Sequence, residues 1–133
     1  MHVDGRCLRG ALEYEAEVDP VSTHICHCTD CQTLAGSAFR TTVFVSGGFR
    51  FLRGAPTTYV KTADSGNRRV LAFCPICGTS VYSKPEEGRE GYFGLRVGSL
   101  RQRDRLIPQS QCWRRSARRW VDEIDHLPAR EGD

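Results

Sequence analysis

No stretch of this 133-residue chain approaches the roughly 18 consecutive apolar residues of a membrane-spanning helix, which argues against a helical membrane protein. The opening residues, Met1-His2-Val3-Asp4-Gly5-Arg6, lack the apolar segment of a secretion signal, so a cytoplasmic location is the expectation. Internal repeats, low-complexity tracts and long linkers are absent, which sets aside repeat arrays and tethered modules. Also missing are a recognisable nucleic-acid-binding motif and aromatic residues interleaved with basic ones. The net charge is only +3, although Arg101, Arg103, Arg105, Arg114, Arg115, Arg118 and Arg119 crowd the last third. Such crowding is commonest on a solvated face, and nucleic acid is not an expected partner. The length suits one core and leaves no room for a second. Residues 1–128 are read as a single domain and residues 129–133 as a frayed tail.

What the chain has is cysteine. There are seven, an odd number, and five sit in tight clusters: Cys26, Cys28 and Cys31, then Cys74 and Cys77. In a reducing compartment such clusters read as metal ligands rather than disulfides. The first, Cys26-His27-Cys28-Thr29-Asp30-Cys31, lets one turn aim three sulfurs at one soft or borderline ion. A structural zinc has four protein ligands, whereas a zinc held by three keeps a position for water or a substrate thiol. Spacing alone also permits a second account, in which Cys28, Cys31, Cys74 and Cys77 share one closed structural zinc. That account leaves Cys26 and Cys7 without a role.

Around these clusters the chain reads as strands. Leu12 to Val18 alternates apolar with acidic residues and predicts a half-buried strand, ended by Pro20. Ser22 to Cys26 predicts a short strand delivering the first cluster. Thr29 is positioned to cap a brief helix through Ala35, and Gly36 to close it. Phe39 to Val45 and Phe49 to Leu52 flank Ser46-Gly47-Gly48, the pattern of a hairpin. Thr57 to Lys61 and Arg68 to Phe73 repeat it around Asp64-Ser65-Gly66-Asn67. Cys74-Pro75-Ile76-Cys77-Gly78 reads as a zinc-knuckle turn, with Gly78 accepting the left-handed backbone. Further strands are expected at Ser80 to Tyr82, Tyr92 to Val97 and Gln111 to Trp113, with a helical turn or two within Ser116 to Ile124. The prediction is a mostly β fold of short antiparallel strands whose core is too modest to dispense with metal.

Several motifs occur in a telling order: Gly5-x-Cys7, the amphipathic strand, Cys26-His27-Cys28-x-x-Cys31, Gly36-Ser37-Ala38-Phe39, Phe73-Cys74-x-x-Cys77-Gly78-Thr79, Gly98-Ser99-Leu100 and Leu127-Pro128. In them the chain resembles the glutathione-dependent formaldehyde-activating family, also grouped with the centromere-protein-V domain. The resemblance implies a β-tent of short antiparallel strands and small coiled sheets with two zinc sites. It assigns a catalytic zinc to Cys26, Cys28 and Cys31, and a structural zinc to Cys7, Cys74 and Cys77. The family's fourth structural ligand is a cysteine where this chain has Arg9, and a guanidinium cannot ligate zinc. Water or His2 completing the site, Arg9 bonding to thiolates without metal, and three packed thiols all remain open. A fully occupied structural zinc is not the expectation. A second departure is Gln111, where many relatives carry histidine.

The implied activity is that of a zinc-dependent carbon–sulfur lyase joining glutathione, or another small thiol, to formaldehyde or a related small aldehyde. The alternative is a non-catalytic zinc-stabilised β module that binds a ligand or protein partner. Glutathione's carboxylates need cations, for which Arg40 and Arg68 or Arg69 are candidates by sequence proximity. His24 shares a strand face with Cys26 and is a candidate proton shuttle, with partial burial as the plainer reading. His27 is expected to point away from the cysteines beside it. Cys112 reads as a small packed thiol, and Trp113 and Trp120 as core or edge packing.

Overall fold

Short side chains and an outward acidic row begin the sheet. In this computed structural model, which describes residues 1–133, β1 (His2–Arg6) pairs antiparallel with the start of β2 (Glu13–Cys26). Along β2, Tyr14, Ala16 and Val18 are buried, while Glu13, Glu15 and Glu17 turn outward, as the alternation predicts. Gly5 is required where β1 crosses Tyr14: a Cβ there would stand 2.7 Å from Tyr14 Cζ and 2.8 Å from the Ser99 carbonyl oxygen.

Pro20 does not end the strand. β2 runs through it with a register irregularity between Asp19 and His24, where the Ser22 and Thr23 hydroxyls donate to the Asp19 and Pro20 carbonyls at 2.6 and 2.7 Å. Those side chains take the acceptors that an unbroken ladder would have used. The predicted hairpin at Ser46-Gly47-Gly48 is likewise replaced. Arg40 to Arg53 is one strand, β3, both halves of which pair with β2, and the glycines sit in a bulge between the Glu15–Arg50 and Glu17–Gly47 pairs. Gly48, at φ 61°, takes the left-handed backbone of that bulge.

Helix α1 (Thr29–Ala35) lies between β2 and β3 and ends at Gly36 in the left-handed conformation. Its N-cap is Cys28 rather than Thr29. The hairpin of β4 (Thr57–Thr62) and β5 (Arg68–Phe73) is as the sequence predicts. The knuckle turn follows, closed by Gly78 at φ 75° with its N–H donating to the Cys74 carbonyl at 2.9 Å. Then come β6 (Ser80–Pro85) and β7 (Gly94–Arg96). The strand order is β1-β2-β3-β7-β6-β5-β4, antiparallel throughout, and β8 (Ser110–Cys112) pairs in parallel with the end of β2. The mostly β, antiparallel reading holds, with β2 and β3 longer than the short strands expected. The C-terminal segment forms 3₁₀ turns at Arg114–Ser116 and Arg119–His126.

The core fills with Val3, Leu12, Tyr14, Val43, Val81, Leu95 and Leu100, each 1% exposed or less. A cluster of rings, Phe49, Phe51, Tyr82 and Phe93, packs against it at centroid separations of 4.9 to 6.5 Å. Trp113 and Trp120 are about half exposed, so they pack at the edge and not in the core. No helix is long and apolar enough to cross a membrane.

Candidate metal centre

The end of β2 and the first turn of α1 bring the first three thiols together. Cys26 is the last residue of the strand, Cys28 the helix N-cap and Cys31 a buried residue of the first turn. The Cys28 Sγ accepts the Cys31 N–H at 3.2 Å, so the cap and the site are one structure. The three sulfurs lie within 4.8 Å of one another. Sulfurs about 2.3 Å from a common ion stand about 3.8 Å apart, so this triad can close on an ion with little movement. A set of three soft donors suits zinc among the common ions. Within the triad, the hydrogen bond from Cys31 holds the Cys26 thiol down at about 4, and the same bond together with burial pushes Cys31 up.

His27 turns away, as expected. It is fully buried, its Nε2 donates to Gln111 Oε1 at 2.7 Å, and its Nδ1 has no partner. Gln111 therefore supports the cluster from behind. Gln32 adds a second tie, donating from Nε2 to the His27 carbonyl at 2.7 Å and the Ser116 carbonyl at 2.9 Å. Cys112 stands opposite Cys26 in the parallel β2–β8 register, and burial with the neighbouring Cys26 raises its thiol to about 12. The sequence reads it as a small packed thiol; only the pairing of β8 with β2 brings it beside Cys26.

On its open side the triad faces a cleft of about 150 Å³ lined by His24, Cys26, Cys31, Arg40, Arg69 and Arg96 among others. Arg40 donates from Nη2 to Cys31 Sγ at 2.9 Å. His24 donates from Nδ1 to the Ser22 carbonyl at 2.9 Å, and its ring lies 4.9 Å from that of Phe44. Arg69 reaches the cleft, whereas Arg68 pairs with Glu86 at 2.7 Å and leaves the candidate cations. Arg96 is the residue sequence reasoning passes over. Its signal is there: one charge in the apolar run Phe93-Gly94-Leu95-Arg96-Val97. A second cavity, of about 330 Å³ and bordered by Leu34, Tyr59 and Phe73, shares the Arg40 and Arg96 walls.

Cys7, Cys74 and Cys77 form the other triad, also within 4.8 Å. Cys7 and Cys74 are 0% and 1% exposed and belong to the core. The Leu12 N–H donates to Cys7 Sγ at 3.2 Å, and the Ile76 N–H approaches Cys74 Sγ at 3.4 Å. Hydrogen bonds from the Thr79 hydroxyl and the Arg9 backbone N–H lower Cys77 to about 6. The Arg9 side chain is exposed, so this residue meets the site through its backbone. His2 lies 3.3 Å from Glu17 and is not gathered with these thiols. The shared four-cysteine site is overturned, because Cys28 and Cys31 group with Cys26 while Cys74 and Cys77 group with Cys7.

Fold and site thus define a mostly β protein with two thiol triads, each able to hold a metal ion. The sequence profile of a family described as glutathione-dependent formaldehyde-activating enzyme matches residues 2–116, and the chain belongs to that family. The crystal structure of a Rhodobacter sphaeroides protein, a structural-genomics target, is similar with a TM-score of 0.57. The two are 23% identical over 84% of this chain and 99% of that one, a likeness of fold. No curated protein matches the sequence.

Proposed function

We propose that the protein is a zinc-dependent carbon–sulfur lyase that joins glutathione or a related small thiol to formaldehyde or another small aldehyde. The observation that carries this reading is the asymmetry between the triads. Cys26 and Cys31 line a cleft containing an imidazole and cationic side chains, whereas Cys7 and Cys74 are almost wholly buried and pack into the core. The first set would hold a reactive zinc, and any ion on Cys7, Cys74 and Cys77, where Arg9 stands in place of a fourth cysteine, would serve the fold. Zinc bound to three thiolates supplies a position at which a substrate thiol loses its proton near neutral pH.

The remaining work falls to the chain. With Nδ1 donating to the Ser22 carbonyl, His24 has Nε2 left to exchange a proton on the cleft side. The carbon–sulfur bond forms between the substrate sulfur and the carbonyl carbon, and the proton released by the thiol returns to the carbonyl oxygen. The reverse reaction breaks that bond. Arg40, held against Cys31, keeps positive potential beside the sulfurs, and Arg69 is the second cation for a carboxylate of glutathione. A cytoplasmic location accords with reduced thiols and a thiol substrate.

The test is zinc per chain and thiol–aldehyde adduct formation in wild type, Cys28→Ser and Cys74→Ser, with folding checked by circular dichroism. Adduct formation that is lost in Cys28→Ser while the fold and the second triad persist supports the lyase. Wild-type protein loaded with zinc and inert toward glutathione and other small thiols, with formaldehyde and with other small aldehydes, refutes it, in favour of a non-catalytic zinc-stabilised module. A zinc count near one that falls only in Cys28→Ser would show that the triad beside Arg9 does not hold the ion.

A further inference from the structure

The parallel pairing of β8 with β2 sets a fourth thiol beside the first triad. Cys26 and Cys112 are register partners, each the last residue of its strand. Partners on neighbouring strands stand about 4.8 Å apart, inside the roughly 4.4–6.8 Å between Cα atoms that a disulfide spans. The junction is tied by the residue after one cysteine and the residue before the other. The His27 N–H donates to the Cys112 carbonyl at 3.0 Å, and His27 Nε2 donates to Gln111 Oε1 at 2.7 Å. The Cys112 thiol points across to β2, toward the Ile25 carbonyl at 3.6 Å, and lies within hydrogen-bonding reach of the Cys26 thiol.

The other thiols near the centre are committed. Cys31 is 3% exposed and accepts from Arg40 Nη2 at 2.9 Å, while Cys28 Sγ accepts the Cys31 N–H at 3.2 Å and caps the helix. Cys112 is partly exposed and stands outside the three sulfurs gathered within 4.8 Å, so an ion on the triad leaves it free. Cys26 is the partly exposed sulfur of the triad that lines the cleft. At about 150 Å³ that cleft admits a peroxide, a molecule little larger than a water with its share of about 30 Å³.

From this pairing we propose that Cys26 and Cys112 form an oxidation site, in which a peroxide converts the two thiols to a disulfide and takes Cys26 out of the first triad. With hydrogen peroxide, the Cys26 sulfur attacks one oxygen, the O–O bond breaks, and the second oxygen leaves as water, giving a sulfenic acid on Cys26. The Cys112 sulfur then attacks the Cys26 sulfur, and its proton departs with the displaced hydroxide as a second water. Two thiols lose two electrons and the peroxide gains them. Only Cys28 and Cys31 then remain to hold an ion, fewer than the three protein ligands of even an open zinc site, and the centre empties. A small thiol reverses the disulfide and restores the triad. Without Cys112, the sulfenic acid proceeds to sulfinic acid, which thiols do not reverse. Cys112 is thus a resolving residue and not a ligand. This role needs the thiols and their ion, and does not depend on which substrate the centre serves.

The experiment treats purified, zinc-loaded protein with increments of hydrogen peroxide and follows intact mass, non-reducing peptide maps and zinc release to a chromogenic chelator. Wild type should become two hydrogens lighter, with Cys26 joined to Cys112, and should release one ion per disulfide formed. Dithiothreitol with added zinc should restore both mass and metal content. Cys112→Ser and Cys112→Ala, with folding checked by circular dichroism, should bind zinc as wild type does. Under peroxide they should form no disulfide at Cys26, gain two oxygens and fail to recover zinc after dithiothreitol. Cys77→Ser, altered in the other triad, should still form the Cys26–Cys112 bond. A disulfide confined to Cys26, Cys28 and Cys31 with Cys112 still reduced overturns the proposal. So does oxidation that is as reversible in both Cys112 variants as in wild type, or a Cys26–Cys112 disulfide that forms while the ion stays bound.

Discussion

Raising the pH should expose how tightly Tyr14 is held. Its phenol is fully buried beneath β1, hydrogen-bonded to Ser99, and burial raises it from 10.0 to about 12. An acid whose value is raised on folding stabilises the native state fully below its unfolded value, and that contribution fades as the pH climbs through the folded one. The window is therefore pH 10 to 12. Two units correspond to about 2.7 kcal/mol in total, and linkage places about 1.4 kcal/mol of the loss by pH 11. Urea unfolding of wild type and Tyr14→Phe at pH 8, 10 and 11 isolates this group, because every other titration is shared. At pH 8 the variant should be about 1 kcal/mol less stable through the lost hydrogen bond. The penalty stays near that because Ser99 keeps its own bond to the Arg96 carbonyl at 2.9 Å. By pH 11 the two proteins should converge and their order reverse slightly. Parallel stability curves across that range would refute the claim that the buried phenol is kept neutral by the fold.

Other substitutions probe neighbouring features. Gly5→Ala should lower stability by about 1–3 kcal/mol in denaturant melts, because the new methyl would meet Tyr14 and the Ser99 carbonyl inside 3 Å. Leu95→Ala, in the strand that carries Arg96, should cost about 2–5 kcal/mol by the same measurement, since Leu95 is 0% exposed. Replacing Glu86 by alanine should change stability by no more than about 1 kcal/mol, its pairing with Arg68 being an exposed one.

Local chemistry was legible in the sequence where a single stretch decides it. The Glu-rich alternation of β2, the β4–β5 hairpin and the glycine that ends α1 all follow from neighbours in the chain. Pro20 and Gly47-Gly48 were misread for one reason. Both residues punctuate, and whether they stop a strand or bulge it depends on a partner strand that local sequence does not display. Cys28 displaced Thr29 as the helix cap because a thiol sulfur can accept an N–H, a role usually credited to hydroxyls and carboxylates. At the site, the cysteine motifs were visible but their partition was not settled by spacing alone. Arg96 and Cys112 owe their positions to sheet order and to a parallel pairing across the chain. The lone charge in the run Phe93 to Val97 marks Arg96 without showing what it faces, and nothing near Cys112 in sequence announces its place.

The two triads differ in one further respect, the stretch of backbone each must fold to exist. Cys26, Cys28 and Cys31 lie within a single turn, so an unfolded chain can present much of that chelate, and an ion there distinguishes weakly between folded and unfolded molecules. Cys7 joins Cys74 and Cys77 only after the ends of most of the sheet have met. An ion on that triad would act as a clasp on a long loop, withdrawing entropy from the unfolded ensemble much as a crosslink does. Chelation would then slow refolding and lower the melting temperature through the sealed site, while the open one could lose and regain its ion with the architecture intact.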